Sequence, residues 1–468
     1  MERGQAKASS LADDPSALLL AYYGDDFTGS TDVMEALSLA GLRTVLFLKP
    51  PPPEQLARFP DLRAFGIAGG SRAMSPEEME TELPSAFEAL KASGAPIIHY
   101  KTCSTFDSSP KTGSIGKAIE IGRRIFGERP TPLVVGAPVL GRYVVFGNLF
   151  ARSGLDTEPF RLDRHPTMSR HPVTPMKEAD VRLLLAEQTK LPVELVDVLK
   201  LERAVGQWAV ASGQSVPPIV LFDTLREAHL ATIGNAIEDM AKAGQLFSAG
   251  SSGVEYALVE HWRAKGAINT AEREGRGESL LKQPPRSPSS AVQQLVCVSG
   301  SCSPVTDRQI ALAVEQGFAE VGAGPEVLVP GERFGRSMGE AFNHLQQGKS
   351  IIVHSSRGPT DERFIDDLSS NQQGTLCGAL GHMLDRLLEA NPSIRRAVVC
   401  GGDTSMHVAR ALGIEALEYL GPMAPGSPLC KVHAPGRVAD GCEIVFKGGQ
   451  VGRDNFFLDV LNGGPATT

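Results

Sequence analysis

Aromatic residues are scarce in this sequence, at 6% of 468 positions. That argues against an aromatic binding face and suits parallel sheets filled with Val, Ile, Leu and Ala. Positive charge is also in short supply: 46 Lys and Arg stand against 54 Asp and Glu, a formal charge of −8. With no Lys/Arg run interleaved with aromatics, nucleic acid is not an expected partner. The longest apolar runs, such as Leu18–Tyr23 and Ile351–Val353, are strand-sized and far short of a membrane span. Met1–Ser16 carries Arg3, Lys7, Asp13 and Asp14 without an apolar core, which argues against a secretory signal and leaves a loose tail. Seven cysteines at 103, 297, 302, 377, 400, 430 and 442 form no CxxC pair. Neither a disulfide framework nor a structural zinc site follows, and reduced thiols in a cytoplasmic protein are expected.

Several familiar signatures are missing as well. No GxGxxG follows the opening strand, which weighs against a dinucleotide-dependent dehydrogenase. Gly348-Lys349-Ser350 looks like the end of a phosphate-binding Walker motif, but Asn343 occupies the place of its first glycine and the string precedes a strand. Lys349 is therefore read as solvated. His99, His165, His171, His354, His382 and His407 are scattered without HxxxH or HExxH, so no protein metal ligands are assigned. Among them, His165 and His171 are better candidates for substrate contacts.

What the sequence does have is alternation. Short apolar runs ending in Gly, Ser, Asp or Thr are each followed by helical spacing, the pattern of βαβ units. Strands are expected at Leu18–Gly24, Thr44–Leu48, Ala64–Ala68, Pro96–Tyr100, Leu133–Gly136, Ile219–Phe222 and Leu246–Ala249 in the front half. The back half offers Gln294–Val298, Phe318–Val321, Ser350–His354 and Ala397–Cys400, then strands and turns such as Cys442–Phe446. Arg161–Pro175, with three prolines, reads as a loop rich in His and Arg. Apolar content drops between Ala264 and Ala291, where Pro, Ser, Gly and charge dominate. The expected fold class is α/β, with two Rossmann-like domains of mainly parallel sheet and a cleft between them. Their order is a flexible tail 1–17, a front domain 18–263, a linker 264–292 and a back domain 293–468.

Four strand-end segments can carry chemistry. GDDFTGSTD (Gly24–Asp32) puts Asp25 and Asp26 at the carboxyl end of a strand, where open α/β sheets bind ligands. Two carboxylates there can hold sugar hydroxyls, and one can act as general base on an attacking hydroxyl; helix capping needs at most one of them. On an extended strand the two would point to opposite sides. YKTCSTFDSSPKTGSIG (Tyr100–Gly116) contains nine Ser, Thr or Gly residues, a donor-rich loop suited to a polyhydroxy acid. In it Lys101 can pair with a substrate carboxylate, while Ser108, Ser109, Thr112 and Ser114 can bind hydroxyls or cap the next helix. VSGSCSPVTDRQI (Val298–Ile310) has small residues that let backbone N–H groups approach phosphate oxygens. VVCGGDTSMHVARALG (Val398–Gly413) repeats that chemistry more strongly: two glycines after a strand, Asp403 within reach of a metal-bound phosphate, and a helix starting at Thr404 and Ser405.

The ordered set of motifs resembles the four-carbon acid sugar kinase family, whose members phosphorylate threonate, erythronate or their 3-oxo derivatives. GDDFTGSTD looks like that family's DDxTG signature. GRYVVFGNLF (Gly141–Phe150), HPVTPM (His171–Met176), SAGSSG (Ser248–Gly253), SGSCSPVT (Ser299–Thr306), GGDTS (Gly401–Ser405) and KGGQVG (Lys447–Gly452) follow in the family's order. The resemblance implies a sugar-acid module in front and an ATP module behind, with ATP and Mg²⁺ as cofactors. It places Asp25 and Asp26 at the chemistry, and Thr28, Lys101, Ser104, Thr105, Ser108, Arg142, His171 and Thr174 around the acceptor. It places Ser299, Ser301, Ser303, Gly401, Gly402, Asp403, Thr404 and Gly449 around the nucleotide. Where many relatives carry a string like KxDSTLRGN, this chain has Cys103 in place of an acid and Asp107 in place of an arginine. Losing that guanidinium fork removes a carboxylate clamp and points to a 3-oxo or branched sugar acid such as a 3-oxo-isoapionate-like compound. Two other readings stand beside the kinase: a non-catalytic sugar-acid and nucleotide binding protein, and a metal-dependent phosphatase. The reading also leaves room for a homodimer.

Overall fold

The computed structural model describes residues 10–153, 157–171, 173–203, 216–268, 293–323, 332–358, 361 and 370–464. Most of the expected linker lies outside them. Among the described residues, those up to Thr44 and from Lys49 to 268 form one compact unit; Val45–Leu48 and those from 293 onward form a second.

In the first half of the chain the strands are β1 (Leu20–Gly24), β2 (Thr44–Phe47), β3 (Ala64–Ala68), β4 (Ile97–Lys101) and β5 (Thr131–Val134). They continue with β6 (Arg142–Val145), β7 (Asn148–Arg152), β8 (Pro159–Arg161), β9 (Val193–Val196), β10 (Ile219–Phe222) and β11 (Leu246–Gly250). The front unit's main sheet runs β3-β1-β4-β11-β5-β10-β9 with every neighbour parallel. Strands β1, β3, β4, β5, β10 and β11 are buried along their whole length, because helices cover both faces of a parallel sheet, and this is why they read as continuous apolar runs. From β1 the chain passes to β3 on one side and then to β4 on the other, so the strand order reverses between β1 and β4. Open α/β sheets bind ligands beyond the carboxyl ends at such a point.

The second half contributes β12 (Val296–Ser299), β13 (Ala319–Gly322), β14 (Ile351–His354), β15 (Arg396–Cys400), β16 (Ala416–Ala424), β17 (Ser427–His433) and β18 (Glu443–Lys447). The order β13-β14-β12-β15-β18 is parallel, and β17 and β16 then add antiparallel. The hairpin between them turns at Pro425 and Gly426, the latter at φ 75°, as expected of a Pro-Gly turn. Strand β2, read from the sequence as one more front strand, pairs antiparallel with β16, Phe47 opposite Ala416.

The expected strands are present with ends shifted by at most two residues. Three features differ from expectation. The GRYVVFGNLF segment forms a β6–β7 hairpin whose turn residues Phe146 and Gly147 both have positive φ, 49° and 81°. That geometry strains a phenylalanine; the buried Asp223 carboxylate holds it by accepting the N–H groups of Phe146 (2.6 Å), Gly147 (2.9 Å) and Val198 (3.1 Å). The short strands β8 and β9 are too brief for periodicity to reveal. Finally, Ser10–Ser16, expected to lie in a loose tail, is tied down: Ser10 caps a short 3₁₀ turn and donates to the buried Glu238 at 3.0 Å.

Candidate active site

At the front switch point the strand register sets Gly24 beside Lys101, and the N–H of Asp25 donates to the Lys101 carbonyl at 2.9 Å. The GDD and YKT segments therefore meet although 76 residues apart in sequence. Asp26 caps the helix Phe27–Leu39: Oδ1 accepts from the N–H of Gly29 at 2.7 Å, and Oδ2 accepts from the Thr28 hydroxyl at 2.8 Å.

The two aspartates do not diverge. Arg72 donates from Nη2 to Asp25 Oδ1 (2.7 Å), from Nε to Asp25 Oδ2 (3.3 Å) and from Nη1 to Asp26 Oδ2 (2.8 Å), and its own N–H donates to the Asp25 carbonyl. Expectation failed here because the strand stops at Gly24, so Asp26 already begins a helix and its carboxylate swings toward the same guanidinium. Burial pushes the Asp25 carboxyl up while the Arg72 charge pulls it back, and the pair of carboxylates pushes the Arg72 guanidinium up against its own desolvation. Arg72 was missed from sequence, yet Gly69-Gly70-Ser71-Arg72 follows β3 with the same small-residue signal as the other strand ends.

Lys101 is buried, with its ammonium donating to the Thr102 carbonyl at 3.0 Å and standing 3.7 Å from Asp32. Behind it, His99 and Glu255 form a wholly buried pair at 3.3 Å. Desolvation pulls His99 down to about 3 and pushes Glu255 up to about 8, so both are neutral near pH 7.

Along the Ser/Thr loop, Thr105 is buried and meets Cys103 Sγ at 3.0 Å, and Ser104 is half-buried. Ser108 is committed internally: its hydroxyl donates to the Phe106 carbonyl and accepts from Gln188, each at 3.0 Å. Asp107 accepts from the Thr174 hydroxyl and lies 3.8 Å from His171 Nδ1. Burial raises the Asp107 pKa, His171 and Arg72 lower it, and Asp26 raises it; Asp107 thus belongs to the same electrostatic cluster as the aspartate pair. The Thr174 N–H donates to His171 Nδ1 at 3.1 Å, which leaves Nε2 as the nitrogen of the half-buried ring that can face a ligand. Arg142 is turned inward, donating from Nη1 to the carbonyls of Leu140 (3.0 Å), Gly141 (3.3 Å) and Arg152 (3.1 Å), a staple of the β6–β7 hairpin.

The back unit repeats the arrangement. Ser299, Cys400 and Lys447 lie side by side at the carboxyl ends of β12, β15 and β18. Gly300 donates to the Cys400 carbonyl (3.1 Å) and Gly401 to the Lys447 carbonyl (2.9 Å). Small residues are required where these segments touch: a Cβ on Gly449 would sit 2.6 Å from Ser301 Oγ, and one on Gly401 would sit 2.8 Å from Thr404 Oγ1, at a φ of 114°. Ser299 Oγ accepts the Ser301 N–H, Ser301 Oγ accepts the Ser303 N–H, and Ser303 caps the helix Pro304–Glu315. The helix Gly402–Ala411 has no side-chain cap, Gly402 and Asp403 at its start are exposed, and Thr404 and Ser405 behind them are buried. Uncapped N–H groups at a glycine-lined helix start suit phosphate oxygens.

Comparison with known proteins agrees with this division. The family model of a sugar-binding N-terminal domain matches residues 20–258, and that of a nucleotide-binding C-terminal domain matches residues 296–457. A 3-oxo-isoapionate kinase of Paraburkholderia graminis is 46% identical over 96% of this chain and 95% of its own. A 3-oxo-tetronate kinase of Pseudomonas fluorescens is 31% identical over 96% and 98%. Solved structures from Salmonella typhimurium LT2 (TM-score 0.73, 24% identity) and Haemophilus influenzae (TM-score 0.68, 23% identity), each covering 94% of this chain and 98% of theirs, share the fold. The chain belongs to the four-carbon acid sugar kinase family.

Proposed function

We propose that this kinase transfers the γ-phosphoryl group of ATP to a hydroxyl of a branched 3-oxo sugar acid of the 3-oxo-isoapionate kind. The observation that carries the kinase reading is the meeting of Ser301, Gly449 and the Gly401–Thr404 turn at the ends of three adjacent strands. The substrate class is supported by the P. graminis relative and by Asp107, a carboxylate in the acceptor cluster that suits a hydroxyl donor better than a second anion.

Asp26 is the general base in this reading. Its side chain is 23% exposed against 3% for Asp25, so it can reach a hydroxyl while Asp25 anchors Arg72. The acceptor proton moves to the Asp26 carboxylate as the hydroxyl oxygen attacks, and His171 offers Nε2–H to a substrate oxygen. Positioning and charge neutralisation supply most of the remaining catalysis. Among the described residues no three His, Cys, Asp or Glu converge on one point, so the chain fits Mg²⁺ as an ion carried on the nucleotide phosphates, with the exposed Asp403 as its carboxylate. Bound there, it would neutralise phosphate charge. The pairing of both aspartates with Arg72 leaves less room for a phosphatase.

No helix among the described residues is long and apolar enough to cross a membrane. All seven cysteines are free thiols, which suits a reducing, cytoplasmic location. The deciding experiment is a coupled ADP-release screen with ATP and Mg²⁺ over tetronates, 3-oxo-tetronates and branched 3-oxo acids. Highest kcat/KM is expected with a branched 3-oxo acid. Tight acid binding without ADP release from any of them would favour a binding protein instead.

A further inference from the structure

Lys447 ends β18 and is wholly buried, yet no carboxylate pairs with it among the described residues. Its ammonium donates to Thr306 Oγ1 and to the Gly448 carbonyl, each at 3.1 Å, and stands 5.6 Å from the centre of the Phe456 ring. All these partners are neutral. A desolvated ammonium with neutral neighbours is unfavourable until an anion arrives, and burial accordingly pulls its pKa below the ordinary lysine value.

Its neighbours are the segments already assigned to the nucleotide. The Lys447 carbonyl accepts the Gly401 N–H at 2.9 Å. Thr306, held by the ammonium, donates to the Gly449 carbonyl at 2.9 Å and accepts from Ser301 Oγ at 3.2 Å. Three separate loops therefore hang on one residue, through its backbone on one side and its side chain on the other.

We propose that Lys447 is the positioning residue of the nucleotide site: its ammonium locks Thr306 and the Gly448–Gly449 turn in place, and its charge is balanced by the phosphates of the bound nucleotide. The inference rests on the kinase reading and adds to it a residue with a defined role. It also explains why a lysine is tolerated at a position a methionine would fill: the charge is retained for the ligand, at some cost to the empty protein.

The test uses the full chain carrying Lys447→Met, titrated calorimetrically with ADP and with Mg·ATP and assayed for the KM of each substrate. Lys447→Met should keep or raise the melting temperature of the nucleotide-free protein, and weaken nucleotide binding about 10- to 100-fold, the loss of the buried charge and of the hold on Thr306 and the Gly448–Gly449 turn. The KM for the acid should stay unchanged. A purely structural lysine would instead lower the melting temperature and both affinities together, and unchanged nucleotide binding would equally overturn the proposal. Should Lys447→Met not fold, Thr306→Val carries the test: a nucleotide-specific loss supports the relay and none removes it. Wild-type protein that binds neither ADP nor Mg·ATP would overturn the kinase reading itself, a result distinct from wild-type binding matched by the variant.

Discussion

The backbone N–H of Asp25 donates to the carbonyl of Lys101 at 2.9 Å, one rung beyond the last paired residues of β1 and β4. That bond joins the carboxylate pair to the hydroxyl-rich loop at the point where strand order reverses. Gly401 repeats it in the back unit with the Lys447 carbonyl. In each unit a segment with little meaning alone acquires chemistry from the strand beside it.

Asp26→Asn should lower kcat by about 10²–10⁴ while leaving the KM for ATP near its wild-type value, because an amide cannot take the acceptor proton. Steady-state kinetics with saturating acid check this. A loss below tenfold would reduce Asp26 to a helix cap.

Arg72→Met should destabilise the front unit by on the order of 3 kcal/mol, since it strands a buried carboxylate, and should abolish turnover. Arg72→Lys should fail to restore activity: a single ammonium cannot reproduce the fork that reaches Asp25 and Asp26 together. Urea denaturation and activity read the two effects separately, and wild-type kinetics in the lysine variant would remove the clamp from the mechanism.

Gly449→Ala and Gly401→Ala should each raise the KM for ATP roughly tenfold or more, with the KM for the acid unaltered. The added methyl meets Ser301 Oγ at 2.6 Å in the first and Thr404 Oγ1 at 2.8 Å in the second. Equal rises in both KM values would mean a general loss of fold.

Stability should fall between about pH 6.5 and pH 8. Glu255 stays protonated in the folded protein up to about 8, whereas unfolding returns it to 4.5; His99 stays neutral down to about 3, whereas unfolding returns it to 6.5. Between 4.5 and 6.5 the folded pair and the unfolded pair each hold one proton, so the contribution is flat. Above that window only the folded state keeps its proton, and stability declines with rising pH by about 2 kcal/mol in all. Below it only the unfolded state binds the second proton, and stability declines as pH falls. Urea midpoints from pH 5.5 to 8.5 should show the alkaline loss in the wild type and not in Glu255→Gln; a wild type without it would mean that Glu255 ionises freely.

The strands of the parallel sheets were legible in the sequence because a strand buried on both faces must be apolar throughout, as in Ile219–Phe222 and Ile351–His354. Their carboxyl-end motifs were legible too, since a turn that exposes backbone N–H groups needs small residues. Ser108 and Arg142, expected at the acceptor, show the limit: the Ser108 hydroxyl both donates and accepts within the protein, and Arg142 Nη1 is spent on three backbone carbonyls, and local sequence carries no record of which partner a polar group finds.

Taken by itself, the sequence determined the α/β class, the front and back halves, and the glycine, serine and aspartate strand ends, all of which follow from periodicity and local conformational need. Only the tertiary structure decided that Arg72 grips both aspartates, that β2 pairs with β16, and that Lys447 is buried with no counter-charge among the described residues. Those facts depend on strand order and on contacts between distant residues, where desolvation and charge are set by whatever the fold places alongside.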